Sequence, residues 1–391
     1  MISIGIEQLA ANPPPGFEGK KIALLCNQAS TDRSFNHSRD VVNRVFPDQL
    51  FCLFSPQHGF YSEKQDNMIE SGHIHDPVTG IPVYSLYAEK RKPEPQMFNG
   101  VDILLVDLID VGTRVYTFIW TVVYCLQTAA ETKTKVVILD RPNPIGGHLV
   151  EGNLLQREMR SFVGMYEIPM RHGLTLGELA LLCNREMNIG AELEVVPVMG
   201  WKRNMFMIGA LFPWVFPSPN MPSLAAALVY PGQVIWEGTN VSEGRGTTMP
   251  FLLSGAPYLD HDQVADHIHS TPLPGCVLRP LVFEPTSGKW QGEACKGFQI
   301  HVTNPETFRP YRTSLALMQA FLTLYPEQFM YTDPPYEYDY EKLPIDMIIG
   351  DRNIRIALEN GTDILALEQA WQEDIRAFKE LSRSVFLYDS I

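Results

Sequence analysis

LFSPQHGFYSEKQDNMIESGHIHDPVTGIPVYSLY, running from Leu53 to Tyr87, is the stretch whose reading decides the fold. Apolar runs at residues 50–54 and 81–86 have the length of buried strands bounded by turn residues. Between them lie Ser55-Pro56-Gln57-His58-Gly59 and a polar segment with Glu63, Lys64, Asp66, Asn67, Glu70, His73, His75 and Asp76. The segment reads as a loop slung between two strands of an α/β sheet. Ligands of such sheets bind outside the carboxyl ends of the strands. Long polar loops at that edge are often functional.

Outward from this loop, KIALLC at residues 21–26, VDILLVDL at 101–108, KVVIL at 135–139 and residues 193–198 read as further strands. Helical spacing marks residues 40–46, 117–132 and 175–186. The last of these opens on Thr175 with Glu178 three residues on, a capping box. Strands alternating with helices predict a mostly parallel sheet with right-handed crossovers. Polar clusters then stand at three strand ends, Gln57-His58, Asp107 to Asp110 and Asp140-Arg141, and parallel pairing puts them along one edge. The loop after the first strand, Asn27-Gln28-Ala29-Ser30-Thr31, has no glycine fingerprint, so no dinucleotide is expected. Residues 217–222, PSPNMP, read as a rigid turn, because three prolines fix φ there. From about residue 260 short apolar runs alternate with turns, followed by helices at 313–324 and 364–382. Between those helices Pro334-Pro335 and the tyrosine-rich residues 336–340 form an aromatic, irregular connection. The predicted organisation is an α/β domain over residues 1–255 carrying the site, and a smaller α+β domain over 256–391.

The 391 residues are 45% hydrophobic and 19% charged, an ordinary globular balance. A formal net charge of −14 argues against binding a nucleic-acid backbone. The six cysteines show no local zinc or redox spacing, and Cys26, Cys52 and Cys125 sit in apolar runs as expected of buried thiols. No apolar run is long enough to span a membrane. The N-terminus shows no signal peptide, which points to the cytoplasm, or to the periplasm if a leader has been removed.

Glycoside hydrolysis needs a carboxylic acid to protonate the leaving oxygen and usually a second carboxylate. The candidate acids are Glu63, Asp66, Glu70, Asp107, Asp110, Asp140, Glu151, Glu237 and Glu243. Residues 237–248, EGTNVSEGRGTT, combine two acids, Asn240, Arg245 and three glycines in a loop that no periodicity explains. Gln57, Asn67, Asn143 and Asn220 suit sugar hydroxyls, and Tyr116 suits a sugar face. His73 and His75 resemble the HxH of metal-dependent hydrolases, but the motif lies in a loop without a further clustered histidine. No G-x-S-x-G elbow follows a strand, so a serine nucleophile is not expected.

Motifs along nearly the whole chain resemble the NamZ/YbbC-type exo-β-N-acetylmuramidases, formerly a domain of unknown function. They are SPQHGF at residues 55–60, TGIPVYSLY at 79–87, DLIDVGTRVYTF at 107–118 and DRPNPIGG at 140–147. They continue as PMRHGLTLGELA at 169–180, PSPNMP at 217–222 and EGTNVSEGRGTT. The resemblance implies a Rossmann-like N-terminal domain, a smaller C-terminal domain and a cleft between them. It also implies release of terminal N-acetylmuramic acid, or a related amino sugar, from peptidoglycan fragments. Two positions depart from the family pattern. Gln57 stands where the pattern has the glutamate of PEHG, its leading catalytic candidate, and Ile109 stands where it has the glutamine of DIQDVG.

A carboxamide cannot serve as a general acid, so another group must replace the acid missing at position 57. Glu70, past the apolar Met68-Ile69 pair that would bury it, is the expected acid, with Glu63 second and His58 as a further catalytic candidate. The expected substrate-binding residues are Gln57, Asp66, Asn67, Asp110, Arg114, Tyr116, Asp140, Arg141, Asn143, Glu151, Asn220, Glu237, Asn240, Glu243 and Arg245. Arg245 or Arg141 is expected to select the lactyl carboxylate of N-acetylmuramic acid. No metal or cofactor is expected. The alternatives are a member that binds amino sugar without catalysis, and a metal-dependent hydrolase using His73 and His75.

Overall fold

The computed structural model describes residues 2–88, 90–207 and 213–389. Among them, twelve strands run in chain order. These are β1 (Ile22–Leu25), β2 (Leu50–Ser55), β3 (Ile74–His75), β4 (Pro82–Ser85), β5 (Ile103–Val106), β6 (Lys135–Leu139), β7 (Glu151–Leu154), β8 (Pro169–Arg171), β9 (Leu193–Val196), β10 (Leu253–Ala256), β11 (Cys276–Phe283) and β12 (Cys295–Val302). The main sheet has the order β3-β4-β2-β1-β5-β6-β9. All its pairings are parallel except that of the two-residue edge strand β3. Counting only the parallel strands, the order is that of a doubly wound Rossmann-like sheet, with the reversal at β1. The side chains of β1 and β5 are buried throughout, which is why these strands read as continuous apolar runs rather than as alternation.

The helices are α1 (Gly5–Ala11), α2 (Ser38–Val45), α3 (Phe118–Thr132), α4 (Leu176–Glu186), α5 (Leu224–Gln233), α6 (His261–Ile268), α7 (Pro310–Leu324), α8 (Pro344–Ile349), α9 (Arg352–Glu359), α10 (Ile364–Ala370) and α11 (Gln372–Arg383). The Thr175–Glu178 capping box is present at the start of α4. A second sheet, β10-β12-β11, is antiparallel. One hydrophobic cluster runs from Ala23 of the main sheet through Trp236 and Phe321 to Val385, so the two halves share a core.

Two expectations change and one helix is added. The helix read over 364–382 is broken at Trp371, whose ψ of 7° lies outside the helical range, so α10 and α11 are separate. Helix α1 was not foreseen, because its seven residues follow no cap a sequence can show: Ile4 stands at the N-cap, and Glu7 closes back onto its backbone N–H. The division at 255/256 falls inside β10, which pairs with β12. The six cysteines are free, and all but Cys276 are buried.

Candidate active site

Strand registers place the ends of β1, β2, β5 and β6 side by side, because Leu25 pairs with both Phe54 and Val106, and Val106 pairs with Ile138. The polar clusters after β2, β5 and β6 therefore share one edge, as expected. They do not share one task. After β5 and β6, Arg141 grips Asp107 in two places, at 2.5 and 2.8 Å, and donates to the Thr31 carbonyl. Asp140 accepts from the Thr175 hydroxyl, the Gly177 amide and the Tyr388 hydroxyl, which ties the start of α4 to the sheet. Burial pushes the Asp140 carboxyl up to about 6, against the pull of those three donors. These groups close the sheet edge and do not line the cavity beside it.

That cavity forms after β2. There the chain turns sharply at His58 and Gly59, with φ of 74° and 84°. The φ of 84° at Gly59 is a conformation that glycine adopts without a Cβ penalty. Gln57 is 3% exposed and its amide is held on every side. Its oxygen accepts from the Thr117 hydroxyl at 2.5 Å. Its nitrogen donates to Glu337 at 2.9 Å and to the Tyr87 hydroxyl at 3.1 Å. Thr117 occupies the N-cap position of α3 without capping it; its hydroxyl serves Gln57 instead.

Glu337 is the residue that the sequence reading missed. It sits in a two-residue turn closed by reciprocal 3.0 Å backbone bonds between Tyr336 and Asp339. Both central residues have positive φ, 47° at Glu337 and 64° at Tyr338. Such turns favour Asn-Gly, so two bulky side chains there store strain of the kind found at functional sites. Arg91 lies over the Tyr338 ring at 4.0 Å and holds the turn down. The Glu337 carboxyl accepts from Gln57 and, at 2.6 Å, from the Tyr87 hydroxyl. Burial nevertheless pushes it up to about 7, and Glu237 adds to the upward push. The tyrosine-rich connection at 336–340 was the available signal. No spacing rule links it to Gln57, 280 residues away.

Glu237 completes the polar wall. It pairs with Arg245 at 2.5 Å, accepts from the Tyr336 hydroxyl at 2.6 Å and from the Asn67 amide at 3.1 Å. Arg245 also lies 3.3 Å from Glu243, and Lys289 balances that second acid at 2.9 Å. His58, Asn220, Tyr116, Tyr230 and Phe251 line the remainder. Burial takes the His58 imidazole down to about 4, so it is neutral at pH 7; its Nδ1 is bonded to the Lys64 carbonyl. The cavity is narrow, with about 30 Å³ of free room, and Asn220 also lines a wider groove of about 710 Å³ beside it.

Of the expected site residues, Gln57, His58, Asn67, Tyr116, Asn220, Glu237 and Arg245 line this cavity, and Glu243 supports Arg245. Glu63 and Glu70 are exposed and outside its lining. Ile69 is itself 43% exposed and cannot bury Glu70, so the reason for choosing Glu70 fails. Asp66 is exposed and touches the site only through Arg245, at 3.7 Å. Arg114 is wholly buried and clamps the carbonyls of Asn153, Ile168, Ile348 and Ile349. Asn143 bonds Leu174 and Ile145, and Asn240 bonds Gln328, Met330 and Tyr258. Asp110 accepts from the Gly112 amide and faces His172. Arg141 is spent on Asp107, and Glu151 lines a different cavity. His73 accepts from the Ser85 amide. Among the described residues, His73 and His75 join no group able to hold a metal; the group that could is Asp260, His261 and Asp262.

The cavity draws its walls from two parts of the chain, 57–163 and 218–337. Residues 22–225 match the profile described as exo-beta-N-acetylmuramidase NamZ, N-terminal, and residues 228–388 match its C-terminal counterpart. Both family segments contribute to those walls. The chain belongs to the NamZ family. The peptidoglycan beta-N-acetylmuramidase NamZ of Bacillus subtilis (strain 168) is 39% identical over 387 residues, covering 99% of this chain and 91% of that protein. Two crystal structures of DUF1343 family proteins from Bacteroides fragilis NCTC 9343 share the fold. One has a TM-score of 0.88 at 31% identity, covering 99% of each chain. The other has a TM-score of 0.79 at 28% identity, covering 100% of each. Within the NamZ fold, the cavity lies where the two family segments meet.

Proposed function

We propose that this chain is an exo-acting β-N-acetylmuramidase that removes terminal N-acetylmuramic acid, or a closely related amino sugar, from peptidoglycan fragments. Its relationship to the Bacillus subtilis enzyme supports the reaction class. The observation that carries the mechanism is Glu337, a buried carboxyl raised to about 7 and held by Gln57 in the cavity wall. A general acid works best with a pKa near the working pH. Glu337 therefore donates its proton to the leaving glycosidic oxygen. Gln57, which cannot itself donate a proton in this way, orients the carboxyl through the amide that Thr117 fixes. Glu237, anchored by Arg245 and Tyr336, is the second carboxylate. Arg245 faces the cavity, and its planar fork suits the lactyl carboxylate. A sugar ring needs more room than the ligand-free cavity offers. Entry displaces the exposed segment 63–70 at its rim, and the leaving fragment lies along the groove beside Asn220.

The test is incubation with a chromogenic N-acetylmuramide beside a binding titration of free N-acetylmuramic acid. Release of chromophore and of the free sugar is expected. Saturable binding with no release, restored to turnover by Gln57→Glu, would replace this reading with that of a sugar-binding protein.

A further inference from the structure

A second cavity, of about 290 Å³, opens between β7, β8 and helices α7, α10 and α11, and shares no lining residue with the active site. Its charged lining is Glu151, Arg171, Arg309, Arg312, Glu368 and Lys379. Four cations against two acids is a local surplus of positive charge in a chain whose net charge is −14. The surplus is not absorbed by pairing. Arg312 pairs with Glu368 at 2.5 Å. Arg309 donates to the backbone carbonyls of Glu306 and Phe308. Arg171 is only 2% exposed, donates to the Ile145 carbonyl, and leaves its Nε without a partner. Glu151, 6% exposed, accepts from the Arg312 amide through one oxygen and leaves the other unsatisfied. Glu151 and Arg171 face each other across the β7–β8 pair and act on each other electrostatically, yet each keeps a polar atom without a hydrogen bond, where buried polar groups are normally satisfied. A buried guanidinium and a buried carboxyl that line one cavity, each with an unsatisfied atom, are therefore the mark of a site that a ligand completes.

We propose that this cavity binds a small phosphate-bearing molecule. Two surplus positive charges around a compact space match a single dianionic head group, because a phosphate concentrates its charge on one centre where a dicarboxylate spreads the same charge over two. Arginine binds phosphate through two parallel N–H donors. The free Arg171 Nε lies on the buried wall, and the exposed Lys379 adds a flexible charge at the rim. Glu151, which burial pushes up to about 7, supplies a donor to a phosphate oxygen when protonated.

Calorimetric titration of the full chain with inorganic phosphate, glucose 6-phosphate and succinate tests the assignment. Saturable heat is expected for the two phosphates and little for succinate. Affinity for phosphate should fall by about tenfold or more in Arg171→Gln and by roughly twofold to fivefold in Lys379→Gln. Thermal unfolding of each variant checks its fold, and Arg309→Gln with Lys379→Gln replaces Arg171→Gln if the latter does not fold. Binding of succinate alone, binding unchanged in the folded variants, or no saturable heat from either phosphate overturns the proposal.

Discussion

Two groups of acids in this protein carry the same functional group in opposite surroundings. Glu63, Asp66 and Glu70 follow the sheet-edge loop and look in sequence like the natural replacement for the acid missing at position 57. Glu237 and Glu337 come from the other family segment and lie buried at 57's side. Water solvates the first group. In the second group Glu337 is shielded from water and crowded by Glu237, conditions that push a carboxyl toward its protonated form against the pull of the Tyr87 and Gln57 donors. Proximity in the chain is therefore a poor guide to which acid lines the cavity. Burial decides it, and burial here is supplied by a turn 280 residues from the amide it meets.

The comparison is sharpest in turnover. Glu337→Gln should reduce kcat on a chromogenic N-acetylmuramide by roughly 10²–10⁴-fold. Glu63→Gln and Glu70→Gln should stay within about twofold of wild type, as exposed acids outside the cavity. A fall in Glu70→Gln as deep as that of Glu337→Gln would break the contrast.

The pH dependence follows from the same carboxyl. Its folded pKa, about 7, lies above its ordinary value of 4.5. The folded state holds this proton more tightly than the unfolded state. The stability that the proton brings is complete below about 4.5 and is lost as pH rises through about 7. Glu337→Gln removes that dependence. Its unfolding free energy relative to wild type, measured in urea, should be larger (the variant relatively more stable) at pH 8 than at pH 4, by at most about 3 kcal/mol. Wild-type kcat should fall as pH rises past about 7. A stability difference that is flat with pH means that Glu337 is not held as the neutral acid.

Specificity separates Arg245 from Arg141. Arg245→Ala should cost roughly tenfold in discrimination between N-acetylmuramide and N-acetylglucosaminide substrates, because only Arg245 reaches the cavity. Arg141→Ala is expected to act on stability, since it strips the ion partner from buried Asp107. Unchanged discrimination in Arg245→Ala removes it as the selector. The smallest effect concerns Tyr87→Phe. It deletes one donor to Glu337, a loss of about 1 kcal/mol, and should move the alkaline limb of kcat upward by less than one pH unit. A downward move would show that Tyr87 does not stabilise the carboxylate.

Much of the scaffold was legible because its signals are local. The apolar runs at 21–26, 50–54, 101–108 and 135–139 have strand length and turn boundaries, and each became a strand of the main sheet. Thr175 and Glu178 state a cap within four residues. The N-terminal half of the cavity was legible for the same reason, since Gln57, His58 and Asn67 lie in the loop that two strands define. The misreadings arise where one residue type serves two ends. Arg141 and Asp140 look like site residues at a strand end. Their side chains are consumed in packing the edge, and only the identity of their partners shows it.

By itself the sequence determined most strands of the main sheet, their parallel pairing, the family and the sheet edge beside which the cavity lies. Periodicity, capping and motif order are properties of neighbouring residues. Tertiary structure alone decided which acid is buried, which arginine reaches the cavity, and that Gln57 meets Glu337. Those facts depend on the closure of one chain segment against another and on the water it excludes, and no spacing along the chain encodes either.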